Sequence, residues 1–246
     1  MITRIALHEW RRLRVGMMFW LALAFAQLII AWLAFTQLEA FAGIAPQLKA
    51  RQSLLGAMDL VVVPTMNTLV LLLILVTPIL GMGSLAGERQ SGRISLWLSA
   101  PVRSSQIAIG KWFGLWLATL PIVLSVLVTL ASFSLAFDFD WPRFILAASG
   151  LLLLSLWLAA INVWISGLFD HPAAALALCY GLLLFVWLLD SYSGPTAPWY
   201  WLALLPHIRP MLSGMLQSQD LVFFLVTTIS ALLLASYGIA RRRGEV

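Results

Sequence analysis

The chain has 246 residues, of which 62% are hydrophobic and only 10% charged, with mean hydropathy +0.96 and a net charge of +5. A soluble domain carries about 25% charge and about 45–50% apolar residues, so water-soluble domains and disordered chains are both excluded. The chain reads as an integral membrane protein, its basic excess (pI near 10.0) holding loops on one side of a bilayer and not as a nucleic-acid footprint.

The chain opens on a cationic amphipathic segment, residues 1–14. On a helical wheel Ile2, Ala6, Trp10 and Leu13 share one face, with Arg4, His8 and Arg11 opposite. Such a helix lies in the membrane interface, where Arg4, Arg11 and Arg12 reach anionic headgroups; the same arginines also anchor topology. A spanning helix needs about 20 mostly apolar residues, and six runs qualify, at about 16–36, 60–83, 112–137, 143–168, 173–190 and 221–240. The first run has an apolar stretch of about 21 residues against about 7–15 in a signal core, so an uncut span is expected despite Ala40-Phe41-Ala42. Asp170-His171-Pro172 makes a tight hairpin between the fourth and fifth runs. Pro78 and Pro121 lie inside runs and kink helices without ending them.

Between the second and third runs lies a polar loop, 84–111. Its stretch Gly92–Ser99 makes two helical turns with Ile94, Trp97 and Leu98 on one face, and Pro101 stops it. That apolar face either meets a partner protein or lies flat on lipid. The segment 190–220 carries Pro195, Pro198, Pro206 and Pro210, and its apolar pieces Trp199–Leu205 and Met211–Leu216 are too short to cross. Two short re-entrant or interfacial helices are expected there, shaping an exit path or capping the bundle.

Eleven Lys and Arg side chains fall on the side of the termini and four, Lys49, Arg51, Arg143 and Arg209, on the other, which predicts that both termini are cytoplasmic. Cys179 is the one cysteine, so no intrachain disulfide forms. No catalytic or metal-binding set is legible. The three histidines lie outside the runs, there is no phosphate-cradling glycine loop, and Glu88 has no His or Cys near it in sequence. Ionisable groups are absent from the middle of the runs, which argues against an ion-coupled carrier. Asn67, Thr68, Asn162 and Trp164 are the polar or amphipathic candidates for a substrate path; both asparagines also suit interhelical bonding.

Glu88, Gly92, Leu96, Pro101, Arg103, Ile107, Gly110 and Lys111 together resemble the loop signature of ABC-2-type permeases, the membrane subunits of ABC transporters. Pro206-His207, Gly214 and Asp220–Phe224 resemble the stretch before the last span in gliding-motility-type and nitrous-oxide-reductase-maturation-type permeases. The resemblance covers nearly the whole chain. It implies one all-α permease domain over 1–246, with six transmembrane helices, an interface helix, a coupling helix and outer re-entrant helices.

By the same resemblance the chain is a bacterial-type inner-membrane protein, without catalysis of its own, in an ATP-driven exporter. An ATP-binding subunit, which would hold ATP and Mg, docks on Glu88, Gly92, Arg93, Ile94, Leu96, Trp97, Leu98, Pro101 and Arg103. A second copy or sister permease completes the membrane core, and the largely uncharged, aromatic-rich interior suits lipid-linked or amphipathic cargo. The competing reading is a membrane scaffold or assembly factor that binds an ATPase and moves nothing.

Overall fold

The structure, a computed structural model, describes residues 1–50, 56–94, 102–192 and 199–244, without the side chains of 48–50 and 190–192. Every regular element among them is helical: α1 (Ile2–Val15), α2 (Met17–Ala50), α3 (Val63–Gly81, led in by a π turn, Met58–Val62), α4 (Ala86–Gln90), α5 (Ser104–Ala131, closed by a 3-10 turn, Ser132–Leu135), α6 (Trp141–Leu168), α7 (Pro172–Tyr192), α8 (Leu205–Leu212) and α9 (Ser218–Arg243). Six of these stretches are long and apolar enough to cross a membrane, matching the six runs read from sequence. The chain is an all-α multi-pass membrane protein.

Local sequence accounts for the helix boundaries. The π turn falls just ahead of Pro64, which has no N–H to give a regular α-turn. Asp140 Oδ1 accepts the Arg143 N–H at 3.2 Å and opens α6. Pro172 begins α7 as the first helical residue, making the short connection after Leu168 that Asp170-His171-Pro172 predicts. Gly244, at φ 71°, ends α9 in the left-handed conformation, beneath Arg241, Arg242 and Arg243 in its last turn.

The bundle has an inner and an outer set of helices. α6 is the hub, packed against α3, α5, α7, α8 and α9, and α2 lies against α3 and α5. α3 and α6 are mostly buried, whereas α2, α7 and α9 expose most of their length. The large apolar side chains left outside, such as Phe25, Trp32, Phe185 and Leu233, suit a hydrocarbon surround and not water. Both termini lie at one end of the bundle: Arg12 donates to Gly83 O at 3.1 Å, and Arg243 donates to Val102 O.

Several boundaries differ from the sequence reading. α2 runs to Ala50, well past 36, and α5 starts at Ser104, so the loop 84–111 ends near Arg103 and its last eight residues are helix. Over the described residues 199–217, a 3-10 turn at Tyr200–Leu202 and one helix, α8, stand in place of the expected pair on the pieces 199–205 and 211–216. Pro206 sits in the first turn of α8, where its missing N–H costs nothing, which shifts the helix toward the prolines instead of away from them.

Candidate functional site

The functional candidates gather at the end of the bundle that carries the termini. There α1 is seated on the start of α5. Glycines make the seat: a Cβ on Gly110 would lie 2.7 Å from Ile5 Cβ, and one on Gly114 would lie 2.6 Å from Glu9 Cβ and 2.7 Å from Ala6 O. Small residues of this kind let helix backbones approach closely where apolar burial supplies little drive.

The buried face of α1 is centred on Ile5, Ala6 and Glu9, with Ile2, Trp10, Arg12 and Leu13 at its margins. The wheel reading left Glu9 out. Arg4 and Arg11 are exposed as expected, whereas Arg12 turns partly inward. Arg14 stacks on the Trp10 ring, 4.6 Å from its centroid.

Glu9 is buried because it has partners. Lys111, fully enclosed on α5, reaches Glu9 Oε2 at 3.1 Å, Glu88 Oε1 at 2.7 Å and the Ser84 carbonyl at 2.7 Å. Arg12 adds contacts of 2.5 Å to Glu9 and 3.6 Å to Glu88. Two cations and two carboxylates balance within this cluster. Removing one member of such a buried set strands a charge, at a cost of about 3–5 kcal/mol. Glu88, which the resemblance implied as part of the ATP-binding subunit's docking surface, is buried and points into the bundle.

The turn between α3 and α4 has a second anchor. Ser166 Oγ, on α6, accepts the Leu85 and Ala86 N–H groups at 3.0 Å each and donates to Met82 O at 2.9 Å. Arg89 donates to Phe169 O at 3.0 Å, and Arg242 bridges to Asp170 at 2.8 Å. The Arg242 guanidinium holds the Asp170 carboxyl below its ordinary value. The short helix α4 that these bonds hold was not anticipated; of the helix expected at 92–99, Gly92 and Arg93 form a turn and 95–99 lie outside the described residues.

The following residues turn outward. Gly92 takes a left-handed φ of 71°, and Ser91, Gly92, Arg93 and Arg103 are exposed, while Ile94 is half-buried against the core. Leu96, Trp97, Leu98 and Pro101 lie outside the described residues.

The four substrate-path candidates are not brought together. Asn67 and Thr68 bond carbonyls of their own helix, at Val63 and Pro64. Asn162 is buried where α3, α6 and α7 meet: a Cβ on Gly81 would sit 2.7 Å from its Cβ, and Cys179 donates to its Oδ1 at 3.3 Å. Its place is that of interhelical bonding. Trp164 is half-buried on the same helix. A groove of about 500 Å³ instead opens between α3 and α7, lined by Leu71, Ile74, Leu75, Tyr180, Leu184 and Trp187 among others. Tyr180 donates its hydroxyl to Leu75 O, so the groove is almost wholly apolar.

The opposite end has two polar clusters. Arg143 on α6 donates to Asp59 Oδ1 at 2.8 Å and to Ser213 O at 3.2 Å, tying α3 and α8 to α6. Gly214, at φ 84°, lets the chain turn against the Arg143 side chain. Buried His207 lies 2.8 Å from Asp220 and stacks on Phe223 at 4.2 Å. Sequence reading noted His207 and Asp220 only as a resemblance, with no contact between them. Among the described residues, no group of three or more His, Cys, Asp or Glu is placed to hold a metal ion.

A family model described as ABC-2 family transporter protein matches residues 3–198. No curated protein is matched by the chain. The match takes in α1, the α3–α5 connection, the buried Lys111 on α5 and the first five spans, so the chain belongs to the ABC-2 transporter family, whose members are non-catalytic permease subunits of ABC transporters that generally pair with an ATP-binding subunit.

Proposed function

We propose that this chain is the membrane-spanning subunit of an ATP-driven exporter, with the terminal end of the bundle in the cytoplasm of a bacterial-type inner membrane. All 246 residues act as one permease domain. A separate ATP-binding subunit, carrying ATP and Mg, docks on the segment after α4, with Gly92, Arg93 and Ile94 at its start, Leu96, Trp97, Leu98 and Pro101 within it, and Arg103 at its end. A second copy or a sister permease completes the core, and the stretch before the last span assigns the chain to a branch similar to the gliding-motility and nitrous-oxide-reductase-maturation permeases.

One observation carries the reading. The chain from Ser84 to Arg89 is fixed to the bundle by Lys111 and Ser166, while the next residues face outward. A docked subunit pushing on that segment acts on a rigid root, and so on the spans behind it. The apolar groove between α3 and α7 favours cargo with a hydrocarbon part, lipid-linked or amphipathic, because its wall offers hardly a polar group to a hydrophilic solute.

The test is co-purification from native membranes of the wild type and a Trp97→Asp, Leu98→Asp variant. Charges placed in an apolar interface cost several kcal/mol, about 2 or more per stranded group. An ATPase subunit retained by the wild type and lost from the correctly inserted variant supports the exporter. An ATPase retained by both, with activity indifferent to any cargo, favours a scaffold; no ATPase with either refutes the docking role of this segment.

A further inference from the structure

We propose that Lys111 is a positioning residue: by holding Glu9 and Glu88 at once, it makes α1, the α3–α4 turn and the start of α5 one body that carries displacement of the docking segment to the first span. The role rests on the permease reading; the clamp itself rests on geometry alone.

Lys111 is an unusual choice for a site that is fully enclosed, since a long cation is costly to desolvate. Three acceptors from two separate segments converge on its ammonium: Glu9 Oε2 from α1, and Glu88 Oε1 and the Ser84 carbonyl from the α3–α4 turn. A three-donor ammonium suits such a convergence. Arg12 closes the ring from α1, reaching Glu9, Glu88 and the Gly83 carbonyl. Every segment of the cluster thus holds both others.

Steric fit limits the remaining freedom, because Gly110 and Gly114 admit the α1 backbone on either side of Lys111. The connection from α1 to the first span is one residue long. Gly16, extended at φ −70° and ψ 135°, separates Val15 from Met17, and Phe19 N–H bonds back to Gly16 O at 3.2 Å. Movement at Glu88 therefore reaches Met17 through a clamped helix and a single joint. A helix that only floated at the lipid surface would have no need of a buried carboxylate at its centre.

The experiment uses the full chain in lipid nanodiscs, with Cys179→Ala and spin labels on Leu7→Cys and Gln90→Cys, both exposed positions. The clamp predicts one narrow 7–90 distance distribution. Lys111→Met should at least double its width, Glu9→Gln should broaden it less, and Lys111→Arg should restore most of the narrowness. Glu9→Gln keeps size and is the variant to use if Lys111→Met does not fold. A wild-type distribution as broad as that of the variants overturns the clamp.

A second arm uses the complex with its ATPase subunit and a fluorophore on Thr36→Cys, exposed on the first span. ATP should change its emission, and Lys111→Met should reduce that change at least fivefold while ATP hydrolysis stays within twofold. An undiminished response overturns the coupling role. Absence of any nucleotide response in the wild type, with a narrow 7–90 distance, overturns coupling through failure of the permease reading and leaves the clamp standing.

Discussion

Replacing Gly114 by Ala adds one methyl group at a tight helix crossing, that of α1 on α5. The new Cβ would fall 2.6 Å from Glu9 Cβ and 2.7 Å from Ala6 O, whereas comfortable carbon contacts lie at about 3.5–4.0 Å. Neither neighbour is the tip of a flexible side chain, so α1 must withdraw by about 1 Å. That shift stretches the 3.1 Å Lys111–Glu9 contact beyond hydrogen-bonding range. Overpacking costs about 1–3 kcal/mol, and the better helix propensity of alanine returns up to about 1 kcal/mol. A net loss of about 1.4 kcal/mol raises the population with α1 lifted roughly tenfold. The assay is the rate at which a water-soluble maleimide modifies Ile5→Cys in a Cys179→Ala background, Ile5 being 5% exposed. The rate should rise about tenfold with Gly114→Ala and stay unchanged with Gly238→Ala, where nothing lies within 4 Å of the added carbon. Equal rates for the two variants would refute the close seat.

Ser166→Ala leaves the Leu85 and Ala86 N–H groups buried without an acceptor, at about 1–3 kcal/mol each; hydrogen exchange at those two amides should accelerate while that of central α6 stays protected. His207→Phe removes the 2.8 Å hydrogen bond to Asp220, one of whose oxygens already has no hydrogen-bond partner, and should lower stability by about 1–3 kcal/mol. Adding Asp220→Leu should recover more than half of that loss in thermal unfolding. Asp170, whose acidity Arg242 increases, should help hold the end of α9 at neutral pH; because its folded pKa lies below the ordinary 3.8, that help is complete above about pH 4 and is lost as pH falls through the folded value. A spin label at residue 238 should gain mobility in acid, and Asp170→Asn should give the same mobility at pH 7. High salt should mimic both, since the pair is exposed.

The spans were legible because about 20 apolar residues in a row have few other uses. Boundaries were less so: α5 takes in Ser104 to Lys111 because neighbouring helices satisfy polar groups that a hydropathy count assigns to a loop. The same blindness hid the site. Glu9, Glu88 and Lys111 are far apart in the chain, and each alone reads as a solvated charge. Their meeting depends on Gly110 and Gly114, whose value lies in an absent side chain. Gly110-Lys111 was noticed as part of a family signature, but a signature does not say that its lysine faces inward. Helix α8 was misplaced because the helices were set on the apolar pieces at 199–205 and 211–216, whereas Pro206 lies in the first turn of the helix and Pro210 inside it.

Helices in hydrocarbon can slide along one another with little change in apolar contact, since lipid tails and leucine side chains offer similar surroundings. One residue of slip is about 1.5 Å and one turn about 5.4 Å. The Lys111 cluster at one end and the Arg143–Asp59 pair, 2.8 Å apart, at the other do not tolerate such slips, since either breaks hydrogen-bonding geometry. Together they work as depth gauges for α3, α5 and α6, setting the level at which each crosses. A piston stroke of any of these helices would have to break one or both sets of hydrogen bonds, whereas tilting of the bundle as a unit would leave them intact.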